Sequence, residues 1–437
     1  MLPGISLERA PPLTVPLRFL LTAPWFGLIA GLLLAWGGAS LFASRWQPAT
    51  LAVTHLLTLG FMGQAMLGAL LQLLPVVAGT PVPHSRLVAA IAYPGLGLGT
   101  LLLASAFMLA HAWLFRAAVV VLALSFALYI GMAMWGIARQ RPRDAASRTI
   151  ASAIVGLAIT VILGIVLASA FGWSRTLPLV GLTAAHATWG LVGWTVTLVL
   201  GASLVLVPMV QMTQAFPVWA RRGLGVSLGA TLLAWSVSRS LDAAGVASLL
   251  EWFVAAEIAT VGVIVLRLQQ HSRRRKQPDA TFLLWRTSML SLLGAVAVWA
   301  AHRLGALEGQ WIPLVIGVLL IPGFAMCAIM GMLYRIVPFL LWLYLQLRVG
   351  GRPPTVKRIL PDEWATPQMW VHRVALMALL AAAFGVGWLV RPAGGLLAAS
   401  TAMLGVNLFR ASLFTGRVLK TSPALPQGKR AGWRSLP

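Results

Sequence analysis

Long apolar segments alternate with short polar ones along almost the whole chain. An α-helix needs about 20 apolar residues to cross the hydrocarbon core of a bilayer, and these segments have that length. The pattern predicts an all-α polytopic membrane protein with about twelve transmembrane helices and a single membrane domain over residues 1–437. The predicted spans are 18–43, 50–78, 86–110, 113–137, 149–172, 180–208, 223–243, 246–267, 281–302, 313–345, 369–390 and 393–415.

The composition excludes a soluble globular protein. Apolar residues make up 59% of the 437 residues and charged residues only 10%, against about 25% charged residues in typical soluble domains. The polar stretches between the apolar segments are too short for a separate soluble domain.

Positive charge collects in every second loop. One set of loops and the C-terminal tail, residues 416–437, hold clusters of Arg and Lys, whereas the opposite loops hold about one Arg each. Lys and Arg concentrate on the cytoplasmic side of membrane proteins, so both termini are predicted to be cytoplasmic. The net charge of +24 is therefore interpreted as the signal that orients the protein in the membrane. Nucleic acid is not an expected partner, because no basic face is interleaved with aromatic residues. The cluster Arg273 to Lys276 is interpreted as an orientation signal, with binding of anionic lipid as the alternative.

Three spans share one pattern, in which a Gly is followed seven residues later by a Pro. The three pairs are Gly68 and Pro75, Gly201 and Pro208, and Gly331 and Pro338. Successive pairs are separated by nearly the same length of chain, which corresponds to four predicted spans each time. The chain is therefore predicted to contain three pseudo-equivalent four-helix repeats, over about 18–137, 149–267 and 281–415.

Three of the seven histidines fall in or beside spans at their predicted outer ends: His55, His186 and His302. His55 precedes Pro75 by almost the same length of chain as His186 precedes Pro208, so the two imidazoles have similar depths on equivalent helices. Two converging imidazoles suit a metal ion or the axial positions of haem iron. The alternative is that each histidine only bonds to a neighbouring span. The other four histidines are assigned to span ends or loops, without a role.

Other polar and soft side chains inside spans are weaker candidates. Glu257 is an intramembrane carboxylate and, with Gln64, could line a proton or polar path; the alternative is an ion pair with Arg239 or Arg303. Met326 and Met330 could bind Cu(I) or haem iron, although methionine at helical spacing more often fills a core.

Three segments of the chain resemble subunit I of the haem-copper oxidases. They are THLLTLGFMGQAMLGALLQLLPVVAG, AAHATWGLVGWTVTLVLGASLVLVPM and GFAMCAIMGMLYRIVPFLLWL. The chain is also similar, more distantly, to the NnrS family of haem- and copper-containing membrane proteins linked to the nitric oxide response. The resemblance implies that His55 binds a low-spin haem and that His186 binds copper. Span 10 has no histidine, unlike the oxidases, so a complete oxygen reductase is not expected.

The sequence therefore favours a haem-binding membrane protein, with copper as a second candidate cofactor. The resemblance implies a redox or nitric-oxide-response role as an oxidoreductase-like protein, with the lipid bilayer and other redox membrane proteins or a cytochrome as partners. The alternative is a cofactor-free transporter that uses Glu257 and Gln64. Arginine greatly outnumbers lysine, which is typical of GC-rich bacterial genomes and favours a bacterial inner membrane.

Overall fold

The structure is a computed structural model that describes residues 11–77, 79–140, 144–272, 278–349 and 353–421. Within these ranges the chain forms twelve long helices, α1 to α12, joined by short connections. Their bounds are α1 Thr14–Gly37, α2 Pro48–His55 continuing to Val77, α3 Ser85–Leu109, α4 Ala112–Gln140, α5 Ala145–Gly172, α6 Leu179–Thr188 continuing to Gln211, α7 Ala220–Leu224 continuing to Ser240, α8 Ala244–Gln270, α9 Ala280–Arg303, α10 Ile312–Val318 continuing to Gln346, α11 Asp362–Ala383 and α12 Val390–Thr421.

The all-α polytopic class is confirmed, but two of the twelve predicted spans are less apolar than the others. Among the described residues, ten helices are long and apolar enough to cross a membrane, and α7 and α11 are not among them. Arg221, Arg222 and Arg239 lie in α7, and Asp362, Glu363 and Arg373 lie in α11. Both helices still pack within the bundle, α7 against α8 and α11 against α12.

The helices α2, α6 and α10 are each interrupted by an eight-residue π-helical segment. These segments are Leu56–Gly63, Trp189–Val196 and Leu319–Met326. Each segment begins the same number of residues before the Pro of the repeated pattern, and the three segments have the same length. The same irregularity thus recurs at the same register, in the three helices that the Gly and Pro pattern had made equivalent.

These three helices are also the innermost ones. In the most apolar 18-residue stretch of each helix, 83% of the residues are buried in α2 and 78% in both α6 and α10. The corresponding share in the other seven apolar helices is 28–50%. A small cavity of about 70 Å³ lies between them. Its lining includes four sets of three equivalent residues: Ala65, Leu198 and Ala328; Met66, Val199 and Ile329; Ala69, Ala202 and Met332; and Leu73, Leu206 and Ile336.

The first and last helices close the bundle by packing against each other. Small residues allow this contact, because a Cβ on Gly31 would lie 2.8 Å from the carbonyl oxygen of Gly394. The predicted C-terminal tail begins later than residue 416, since α12 continues to Thr421. The basic cluster Arg273 to Lys276 lies outside the described residues.

Candidate functional site

His55 is the last α-helical residue of α2 before the π-helical segment. Its Nδ1 lies 2.8 Å from the carbonyl oxygen of Leu51, one turn earlier. Because a carbonyl oxygen only accepts hydrogen bonds, Nδ1 is the donor, and the neutral ring has its lone pair on Nε2. The ring lines a large cavity, and no hydrogen bond occupies Nε2 within the described part of the chain.

His186, on α6, is also bonded through Nδ1 to a backbone carbonyl, but this carbonyl belongs to a neighbouring helix. Its Nδ1 lies 3.0 Å from the carbonyl oxygen of Thr160 on α5, so its Nε2 lone pair is also available. The ring lies close to Gly164, where a Cβ would be 3.0 Å from the imidazole Cε1. A glycine at position 164 therefore leaves room for this imidazole.

The two imidazoles lie close together. Their ring centroids are 6.3 Å apart, and the ring planes are inclined by 21°. Phe107 lies against His55, with ring centroids 5.4 Å apart. Metal–nitrogen bonds of about 2 Å place the ring centroids of a linear imidazole–metal–imidazole unit roughly 6 Å apart. The separation of these rings thus matches one metal atom between two imidazoles.

Both histidines line a cavity of about 1150 Å³ that reaches from α2 and α5 to α8, α9 and α10. Small-molecule sites usually have volumes of about 300–1000 Å³, so this cavity has room for a cofactor-sized ligand. Its lining is mainly apolar and includes aromatic side chains and threonines near the imidazoles: Phe107, Phe171, Trp194, Thr54, Thr58 and Thr188. An apolar slot with two nitrogen ligands is suited to a porphyrin.

These residues fit haem better than the copper centre of an oxidase. Haem iron receives four nitrogens from the porphyrin and needs only axial ligands from the protein. Among the described residues, no group of three or more His, Cys, Asp or Glu side chains could hold a metal ion. A copper centre built from three protein imidazoles therefore does not fit the residues that the structure describes.

The predicted polar path does not join the cavity. Gln64 is fully buried, with its Nε2 3.4 Å from the carbonyl oxygen of Tyr93 on α3. Glu257 accepts a hydrogen bond from Ser227 of α7, and neither Glu257 nor Gln64 is a lining residue. The alternative, an ion pair of Glu257 with Arg239 or Arg303, is not formed between these described residues; Arg303 pairs with Glu251 at 3.1 Å.

The weaker ligand candidates lie apart from the imidazole pair. His302 lines the same cavity, but it is exposed and its Nδ1 bonds to the carbonyl oxygen of Leu307 at 3.0 Å. Met326 and Met330 are fully buried, and Met330 Sδ lies 3.3 Å from Gln368 Nε2. Neither methionine is among the residues that line the cavity.

The sequence interpretation gave no role to two residues that the structure shows to be buried or charged at notable places. Glu251 lines the cavity with Arg303 and accepts a hydrogen bond from Trp235 Nε1 at 3.2 Å. His372, assigned to a span end without a role, is fully buried within α11, with Nε2 3.0 Å from the carbonyl oxygen of Pro322. Gln368 and His372 are four residues apart and therefore lie on one face of the helix. This spacing is the feature of the sequence that could have indicated a polar face on α11.

Comparison with known proteins supports the fold. No model of a known protein family matches the chain, and no curated protein matches it either. Among solved structures, a chain of a haem-copper terminal oxidase dimer determined by cryo-EM is similar, with a TM-score of 0.58 and 11% sequence identity. The similarity covers 94% of this chain and 85% of the oxidase chain. The protein thus has a membrane fold like that of a haem-copper terminal oxidase, in agreement with the resemblance of its motifs.

Proposed function

We propose that this membrane protein binds a haem between α2 and α6, that His55 and His186 would hold it, and that the protein has a redox role. The observation behind the proposal is the 6.3 Å separation of the two imidazole rings, both of which line one apolar cavity. The oxidase-like fold supports it. A haem held by these two imidazoles would supply one-electron redox chemistry.

The chain's own residues would orient both ligands. The carbonyl oxygens of Leu51 and Thr160 each accept from an Nδ1, which fixes the tautomer and turns each Nε2 lone pair away from the backbone. Phe107 lies against His55 and limits rotation of that ring. The apolar lining keeps water from the ligand nitrogens.

The proposal differs from oxygen reduction. Both imidazoles would be used to hold the haem, so the proposed role is electron transfer. A function in the nitric oxide response is a narrower proposal, and it rests on the resemblance to the NnrS family alone. Copper held by the same two imidazoles is the alternative cofactor.

The test is the absorption spectrum and metal content of protein purified from haem-replete cells. We expect a Soret band and one iron per chain in the wild type, and loss of most of that band in His55→Ala and in His186→Ala, because each variant removes one of the two proposed protein ligands. His302→Ala is the matched control, because His302 lines the same cavity without facing the pair, and it should keep the band. Copper without iron would favour the alternative cofactor, and colourless, metal-free wild-type protein would refute the proposal.

A further inference from the structure

Arg373 lies in the middle of α11, eleven residues after Asp362. Its Nε donates to Thr287 Oγ1 and its Nη2 donates to the carbonyl oxygen of Leu283, both at 2.9 Å. Both acceptors belong to α9 and both are neutral. The side chain therefore runs along α9 towards the N-terminal end of that helix.

The charge of Arg373 has no acidic partner among the residues that the structure describes. The chain has only nine acidic residues, and eight of them lie in the described ranges. None of these eight forms an ion pair with Arg373: the ion pairs between described residues are Arg303 with Glu251, Arg335 with Asp279, and Lys357 with Asp362. Charged groups inside a membrane are costly and pair with other charges or with backbone carbonyls. The Leu283 carbonyl is such a partner for Nη2, whereas Nη1 has no hydrogen-bond partner among the described residues, so its donors are available to an anion from outside the chain.

A second guanidinium lies beside the first. Arg286 immediately precedes Thr287 on α9 and lies one turn after Leu283, and these are the two residues that accept hydrogen bonds from Arg373; its side chain is exposed on the surface of the bundle. Trp370 is 54% exposed on the same side, and the Arg373 guanidinium lies 5.1 Å from its ring centroid. Two adjacent cations with an exposed tryptophan form a surface that faces lipid.

Arg286 lies near the N-terminal end of α9, and the Arg373 side chain extends from the middle of α11 to Leu283, near the same end of α9. Arg286 lies six residues after the start of α9, which is about 9 Å along the helix axis. The 24 residues of α9 extend about 36 Å, slightly more than the roughly 30 Å of hydrocarbon. A long arginine side chain at that depth reaches the headgroup level. By the charge pattern of the loops, this end of α9 is cytoplasmic.

We propose that Arg286 and Arg373 together bind the phosphate of an anionic lipid in the inner leaflet, with Trp370 against its glycerol and acyl region. Guanidinium groups bind phosphate oxygens through paired N–H donors, and basic pockets between transmembrane helices on the cytoplasmic side bind anionic headgroups. Free phosphate has the same chemistry, but the exposed tryptophan beside the pair favours a lipid.

The experiment measures lipid that is retained by the purified full chain. Protein is extracted from membranes that contain phosphatidylglycerol, washed with detergent and examined by native mass spectrometry. We expect the wild type to retain one phosphatidylglycerol, and the double variant R286Q/R373Q to bind it about thirtyfold more weakly. The matched control is R410Q, because Arg410 also lies over a tryptophan, Trp364, without a second arginine beside it; this variant should retain lipid as the wild type does.

Two further measurements distinguish a lipid site from a site for free phosphate or for a protein. If the double variant is not monodisperse, R286Q alone supplies the result, with an expected weakening of about fivefold. Addition of inorganic phosphate to washed protein should not restore the mass of the lipid adduct. The proposal would be overturned if the wild type and the double variant retained the same amount of lipid. It would also be overturned if phosphate bound in place of lipid, or if a polypeptide were crosslinked at Trp370.

Discussion

At the scale of single residues, the imidazole of His186 is positioned from two sides. Thr160 fixes its Nδ1 through a backbone carbonyl, which no side-chain substitution removes. Gly164 determines the space beside the ring, because a Cβ there would lie 3.0 Å from Cε1. A larger side chain at position 164 would therefore displace the imidazole of His186 while His186 itself remains in the chain.

We expect Gly164→Val to weaken haem binding by about tenfold, an effect typical of residues that orient a ligand. The added methyl groups push the ring away from the cavity while His186 itself remains. The control is Gly131→Val on α4, where nothing lies within 4 Å of an added Cβ. The Soret absorbance per protein measures the effect, and equal bands in the two variants would contradict the role given to Gly164.

The separation of residues along a helix predicted the depth of the two histidines but not their direction. His55 and His186 were expected at similar depths from their distances to Pro75 and Pro208, and the structure brings both to one cavity. Glu257 was placed in the correct helix, but its direction towards Ser227 depends on how α7 and α8 rotate against each other. That rotation is a tertiary property, and a single sequence does not contain it directly.

At the scale of helices, the π-helical segments determine which way the outer ends of α2 and α6 face. A π-helix has more residues per turn than an α-helix. It therefore changes the direction in which side chains before the segment point, relative to side chains after it. At equivalent positions after the break, Thr197 Oγ1 and Cys327 Sγ bond to carbonyl oxygens five residues earlier, Val192 at 3.0 Å and Pro322 at 3.6 Å. The Gly and Pro pattern marked these helices as equivalent, but nothing in it predicted the change of helical type.

Deletion of Leu57, inside the π-helical segment of α2, should abolish haem binding. Removal of one residue rotates His55 by about 100° relative to the rest of α2, which turns its ring away from His186. The expected result is loss of the Soret band in protein that stays monodisperse on size exclusion.

The control is deletion of Leu320, the residue at the equivalent position of α10, where the preceding helix Ile312–Val318 carries no histidine. Because this helix also lines the cavity but supplies no histidine, the variant should lose less haem than the deletion of Leu57. Retention of haem after deletion of Leu57 would show that the helical break does not set the direction of His55.

At the scale of the whole molecule, the helices form a closed bundle because the last helix packs against the first. The sequence predicted three repeats that follow one another along the chain. This order does not by itself predict a contact between the first and the third repeat. The contact between α1 and α12 joins them, and it requires glycine where the two backbones meet. No pattern in the chain distinguished the glycines at this contact from others in the spans.

Adjacent glycines in α12 allow a direct test of this closure. A Cβ on Gly394 would lie 2.7 Å from the carbonyl oxygen of Gly31 and 2.8 Å from Leu34 Cβ, whereas one on Gly395 would have nothing within 4 Å. Overpacking of a tight contact costs about 1–3 kcal/mol, so Gly394→Val should lower the apparent unfolding temperature in detergent. Gly395→Val, one residue away in the same helix, should leave it unchanged. Leu34 and Leu397 from these two helices also line the cavity that holds both histidines, so Gly394→Val should release the proposed haem at the lower temperature as well. Equal unfolding of the two variants would mean that the bundle does not depend on this contact.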